Sequence, residues 1–200
     1  MTMVDPSGDE LPLVLIARTF DGGLVSYLSE AMSNELQREL EGKKKVGFPA
    51  ADSIVCTLRS NGIQSETNIS KTYIFPQRYA NTEDSIARCL SNTDLRVKEF
   101  RFDKLAEQVY AIEEDDRLLS ACVSVRQNSD SAEAWVFTSL EHRGRGFAQL
   151  VVSAWAKDMI RAGLVPFYSH KIENVASASV ARKLGLIPVF EELTLCRKKE

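Results

Sequence analysis

Apolar residues recur four apart at Leu24, Leu28, Met32, Leu36 and Leu40, with Tyr27 and Ala31 beside them. That spacing predicts an amphipathic helix over 22–41, capped by Asp21 and stopped at Gly42, because such residues share one helical face. After the charged run from Glu41 to Lys45, Pro49 opens a second, shorter helix carrying Ile54, Val55 and Leu58, with Asn61-Gly62 as its stop. The polar stretch 64–71 reads as a connection, Thr72 to Phe75 as a strand and Thr82 to Leu90 as a short helix. A lobe boundary is expected near residue 70.

From Gln108 onward the pattern sharpens. Val109 to Ile112 predicts a strand and Glu113 to Arg117 an acidic turn. Leu119, Ala121, Val123 and Val125 then alternate with Ser120, Cys122, Ser124 and Arg126, which predicts a hairpin with one buried face. Glu133 to Ser139 reads as a third strand. It runs through a glycine-containing turn into a helix with Ala148, Val151, Val152, Trp155 and Met159 on one stripe and a stop at Gly163. A strand over 164–168, a helix over 175–184 between Asn174 and Gly185, and a strand within 189–197 follow. The expected class is α/β (α+β), a mixed central sheet flanked by helices, with an additional N-terminal helical segment. The domain division is 1–70, a helical or α+β segment, and 71–200.

Composition narrows the classes. With 44% hydrophobic residues over 200 positions the chain can bury a core. A net charge of −3 from interspersed charges supplies no field favouring nucleic acid or an anionic membrane, so neither is expected as a partner. Cys56, Cys89, Cys122 and Cys196 lack metal or redox spacing and read as free thiols. The apolar run from Leu11 to Ala17 is too short for a signal peptide or a bilayer span, and a cytoplasmic location is expected.

The segment Arg143-Gly144-Arg145-Gly146-Phe147-Ala148 stands where a strand becomes a helix. Small residues there let backbone N–H groups approach an anion, the helix start supplies donors and dipole, and two arginines add charge-assisted bonds to phosphate. Two arginines in an acidic chain lack the basic stripe and aromatic platform of an RNA site. His142 and His170 are isolated and are not expected to be ligands. Trp135, Phe137 and Trp155 are expected in the core.

This arrangement resembles the GNAT superfamily of N-acetyltransferases, whose phosphate loop Arg/Gln-x-x-Gly-x-Gly/Ala is matched by Arg143, Gly146 and Ala148. The family's later Asn-x-x-Ala/Ser and Lys-x-Gly-Phe signals are matched by Asn174, Ser177, Lys183, Gly185 and Leu186. Glu133 to Thr138 is similar to the Glu-x-x-x-x-Thr strand of one acetyltransferase branch. The resemblance covers roughly the last 130 residues at the level of fold. It implies acetyl-coenzyme A as cosubstrate, its pyrophosphate on the backbone near Arg143 to Ala148 and its pantetheine arm along the strand ending at Thr138.

The resemblance also implies acetyl transfer to a primary amine of a small molecule or peptide by direct attack, without a covalent enzyme intermediate. Glu133 is the candidate base, with Glu191 and Glu192 as alternatives. The family's usual acid tyrosine falls at Ala181 here, which leaves Tyr168, Ser177 or water as proton donor. That departure keeps a second class open, an acyl-coenzyme-A sensor or scaffold without turnover. Asn174 is both helix cap and implied coenzyme contact, and Ser177 a possible donor to the pantetheine arm. Arg182 and Lys183 suit either a nucleotide phosphate or a dipole-matched helix end. The acceptor is not identified, and a homodimer stays open.

Overall fold

A computed structural model describes residues 12–43, 51–81, 86–99 and 107–198. In chain order the elements are β1 (Val14–Thr19), β2 (Leu24–Leu28), α1 (Asn34–Glu41), α2 (Ala51–Ser60), β3 (Ser65–Ile74), β4 (Arg88–Ser91), α3 (Leu95–Glu99), β5 (Gln108–Glu114), β6 (Arg117–Gln127), β7 (Ser131–Thr138), α4 (Phe147–Arg161), β8 (Val165–Lys171), α5 (Val175–Lys183) and β9 (Ile187–Arg197). The chain forms two compact units. One is Met1–Thr72 with His170–Glu173 and Pro188–Glu200; the other is Tyr73–Ser169 with Asn174–Ile187.

In the first unit, the helix expected over 22–41 is half strand. A spacing of four is a multiple of two as well as close to 3.6, so Leu24 and Leu28 fit both periods. The turn decides between them. Gly22 sits at φ 91°, which suits glycine, and the Gly23 N–H donates to Asp21 Oδ1 at 3.2 Å. Asp21 therefore caps a turn, and β2 folds back on β1 in antiparallel register from Arg18↔Leu24 to Val14↔Leu28. The N-terminal segment is thus α+β rather than purely helical. Helix α1 starts only at Ser33, whose side chain accepts from the Leu36 N–H at 3.3 Å. Leu36 and Leu40 then bury against Val14, Ile54, Leu58, Leu193 and Leu195.

Helix α2 forms as its apolar spacing predicts; Pro49, its expected opener, lies outside the described residues. The stretch read as a connection is the first part of β3. Its backbone is held from both sides, by Lys198 N–H on the Gln64 carbonyl at 3.0 Å and Ile172 N–H on the Ile69 carbonyl at 3.0 Å. Those partners lie more than a hundred residues away, so local polarity gave no sign of the strand.

In the second unit the strand order is β8-β7-β6-β5-β4. Strands β7 and β8 are parallel and the remaining pairs antiparallel, which makes the sheet mixed. The expected helix over 82–90 is corrected: 82–85 lie outside the described residues, and Arg88 to Ser91 is β4, paired with β5. Hairpin β5–β6 also departs from expectation, because both of its faces are buried. Helix α4 covers one with Val151, Val152 and Trp155, packed among Tyr110, Ile112 and Cys122. Val97 of α3 covers the other, with Val109, Ala121 and Val123. Ser120 and Cys122, expected to face solvent, are fully buried; Ser120 meets its hydrogen-bond requirement by donating to the Phe137 carbonyl at 2.8 Å. Each large apolar side chain buried here contributes about 1.5–3 kcal/mol. Among the described residues no helix is long and apolar enough to cross a membrane.

Candidate functional site

Strand β7 pairs with β8 only from Ser131↔Val165 to Ala134↔Tyr168, whereas its pairing with β6 continues to Ser120↔Thr138. Beyond Ala134 the two parallel strands part. The opening is a groove of about 460 Å³ lined by 135–138 of β7, the turn into α4, Tyr168 and the first turns of α5.

The turn is built by short-range bonds. The Ser139 hydroxyl lies 2.7 Å from His142 Nδ1, the Arg143 Nε–H donates to the Thr138 carbonyl at 3.2 Å, and the His142 ring stacks on Phe147 with centroids 6.3 Å apart. Gly144 and Gly146 have φ of 80° and 87°, values that only glycine adopts without strain. Gly146 is the N-cap of α4, and no side chain caps that helix. Its first-turn residues line the groove, so their N–H groups are available there to an anion. A side chain added at Gly144 meets nothing within 4 Å, so the cradle is open as well as positively polarised. These residues fit the coenzyme pyrophosphate that the resemblance implies.

The groove's other wall starts at α5, where Asn174 Oδ1 accepts from the Ser177 N–H at 3.0 Å. Tyr168 is 1% exposed, and burial pushes its phenol above its usual pKa, with the nearby Ser177 side chain pulling the other way. The phenol is thus neutral and proton-bearing at physiological pH.

Of the residues singled out in the sequence, Thr138, Arg143, Gly144, Gly146, Phe147, Ala148, Tyr168, Asn174 and Ser177 line the groove together. Arg145 is exposed and Glu133 lies one turn of the β7 pleat before the lining; neither is part of it. Glu133 is held by Arg126 at 2.7 Å. That pair is created by an irregularity in β6: the register shifts between Ser124 and Arg126, so that Val125 is skipped and Arg126 falls opposite Glu133. Glu191 pairs with Arg18 at 2.8 Å and Glu192 accepts from Ser70 at 3.3 Å, both within the first unit. Ala181 is buried in the core. Lys183 lines the groove and Arg182 does not.

Sequence reasoning missed several lining residues. His142, read as isolated, belongs to the wall, although no group of three or more metal-ligating side chains occurs among the described residues. Trp155 is core as expected, but Trp135 is 42% exposed and lines the groove. A signal was present: Glu133, Trp135 and Phe137 share one strand face, and a glutamate on that face marks it as incompletely covered. The four cysteines are free thiols, as expected.

Residues 108–191 match the family model described as GNAT acetyltransferase. An uncharacterized N-acetyltransferase of Bacillus subtilis, YdfB, is 30% identical over 82 residues, which are 41% of this chain and 31% of YdfB, so the match spans about a third of that relative. Among solved structures, a GNAT-family acetyltransferase described as putative, from Novosphingobium aromaticivorans, aligns with TM-score 0.56 at 20% identity over 69% of each chain. A GNAT-family acetyltransferase from Colwellia psychrerythraea aligns with TM-score 0.54 at 16% identity, covering 93% of this chain and 81% of that one. These two share the fold. Residues 108–191, from β5 into β9, are thus similar to the GNAT acetyltransferases, and the chain shares their fold.

Proposed function

We propose that the chain transfers an acetyl group from acetyl-coenzyme A to a primary amine of a small molecule or peptide by direct attack. The observation that carries this reading is the α4 start, a long helix opened by Gly146 without a side-chain cap, at the mouth of a groove floored by the end of β7. When bound, acetyl-coenzyme A supplies an activated thioester whose carbonyl carbon accepts the amine nitrogen. The first-turn N–H groups of α4, with Arg143 and Arg145, hold the pyrophosphate. Residues 136–138 border the pantetheine arm beyond the point where β7 leaves β8. Glu133 takes the proton from the incoming ammonium, directly or through ordered water, since no carboxylate lines the groove itself. Tyr168, kept protonated by burial, or Ser177 returns a proton to the departing thiolate. The free thiols suit a reducing compartment, the cytoplasm.

Thiol release from acetyl-coenzyme A across polyamines, aminoglycosides, amino acids, arylalkylamines and peptides tests the proposal. Steady release with at least one amine is expected. Calorimetric binding of acetyl-coenzyme A without release on any acceptor favours the sensor instead.

A further inference from the structure

The chain has two tryptophans, and their surroundings are opposite. Trp155 is fully buried, with its indole N–H donating to Ser124 Oγ at 2.9 Å. Trp135 is 42% exposed and lines the groove one residue past the point where β7 and β8 part. An exposed indole in a concave site offers a large flat apolar surface to a ligand. Its neighbours define what that ligand is. Glu133 precedes it by two residues on the same strand face, so their Cα atoms are ~6.6 Å apart, comparable to the reach of a two-carbon stem between a ring and its amine. The register shift in β6 sets Arg126 against Glu133 at 2.7 Å, so the carboxylate's charge is compensated by a guanidinium. The groove's cationic lining residues, Arg143 and Lys183, stand instead on the turn and on α5.

We infer that Trp135 is the seat of the acceptor, and that the acceptor is a primary amine on an apolar, aromatic stem, an arylalkylamine, with the ring stacked on the indole and the nitrogen directed toward Glu133. This rests on the acyl-transfer reading, and it selects among acceptors. A polyhydroxylated amine gains nothing from the indole, and a polycation finds no uncompensated carboxylate among the described residues that line the groove. The ammonium is in addition drawn to the indole face as it arrives.

With Trp155 enclosed in the core, the intrinsic fluorescence response to a groove ligand comes from Trp135. Phenethylamine titrated into protein saturated with coenzyme A is expected to change the emission saturably and to shield the indole from acrylamide. Trp135→Phe should remove the optical signal while calorimetry still detects phenethylamine. Trp135→Ala should weaken phenethylamine about tenfold, within the range of one aromatic contact, and leave coenzyme A affinity unchanged. Spermidine and kanamycin at the same concentrations should produce no shielding. The inference is overturned if coenzyme A binds but phenethylamine neither alters the emission nor shields Trp135. It is equally overturned if Trp135→Ala weakens coenzyme and amine alike, or if spermidine or kanamycin shields the indole as well as phenethylamine. Failure of coenzyme A to bind at all removes the acyl-transfer reading itself, and the acceptor seat with it.

Discussion

Two helices begin on the same groove and begin differently. Helix α5 opens with Asn174, whose side chain satisfies the Ser177 N–H within the protein. Helix α4 opens with Gly146 at φ 87°, and no side chain caps it. A free helix start is costly to leave in a folded protein unless water or a ligand meets its donors. The contrast therefore separates a structural cap from a binding site, even though both starts carry the same backbone dipole. On the proposed function it also divides the labour: the α4 end would hold the anion, while Tyr168 and Ser177, with Glu133 just outside the lining, would handle protons.

That division is most severely strained by Glu133→Gln. Turnover should fall ~100 to 10,000-fold, the usual contribution of a general base, while coenzyme affinity is kept. The loss should shrink as pH rises and the acceptor amine sheds its own proton, which a pH–rate profile checks. Lost affinity with intact turnover at saturation would make the Arg126–Glu133 pair structural. Gly146→Glu should act at the other end, placing a side chain and a negative charge at the anion's position in a strained backbone conformation. Wild type at 100 times its dissociation constant gains ~2.7 kcal/mol from the ligand, and differential scanning fluorimetry should show this gain absent in the variant.

Arg143→Ala should weaken the coenzyme about tenfold, less than the glycine variant, because backbone donors remain; calorimetry measures it. The smallest effect belongs to the capped helix. Asn174→Ala should lower stability by ~1 kcal/mol in chemical denaturation without ligand, the usual cost of a lost N-cap. A comparable loss from a conservative change at the α4 start would erase the distinction between the two.

The second unit was far more legible in the sequence than the first. Strands β5 to β7 and helices α4 and α5 carry their periodicity and stop signals locally, as Gly163 and Gly185 show with φ of 82° and 61°. The segment Arg143 to Ala148 was legible as a glycine-containing strand-to-helix turn, and Gly144 and Gly146 do sit at positive φ. Strands β1, β2 and β4 and the first part of β3 were not, although the end of β3 was read as a strand from Thr72, for two reasons. Leucines four apart satisfy both periods until a turn such as Asp21-Gly22-Gly23 is weighed against them. Polar strands such as β3 take their partners from distant segments, here Lys198 and Ile172. Within the groove, the exposure of Trp135 and the Arg126–Glu133 pair escaped because both depend on where β8 leaves β7 and on a one-residue register shift in β6.

Isothermal titration of acetyl-coenzyme A into wild type and Gly146→Glu tests the uncapped helix start most directly. One saturable site per chain and a raised melting temperature are expected in wild type, and neither in a variant that remains folded. Binding of equal affinity in both proteins, or no heat in either, would contradict it.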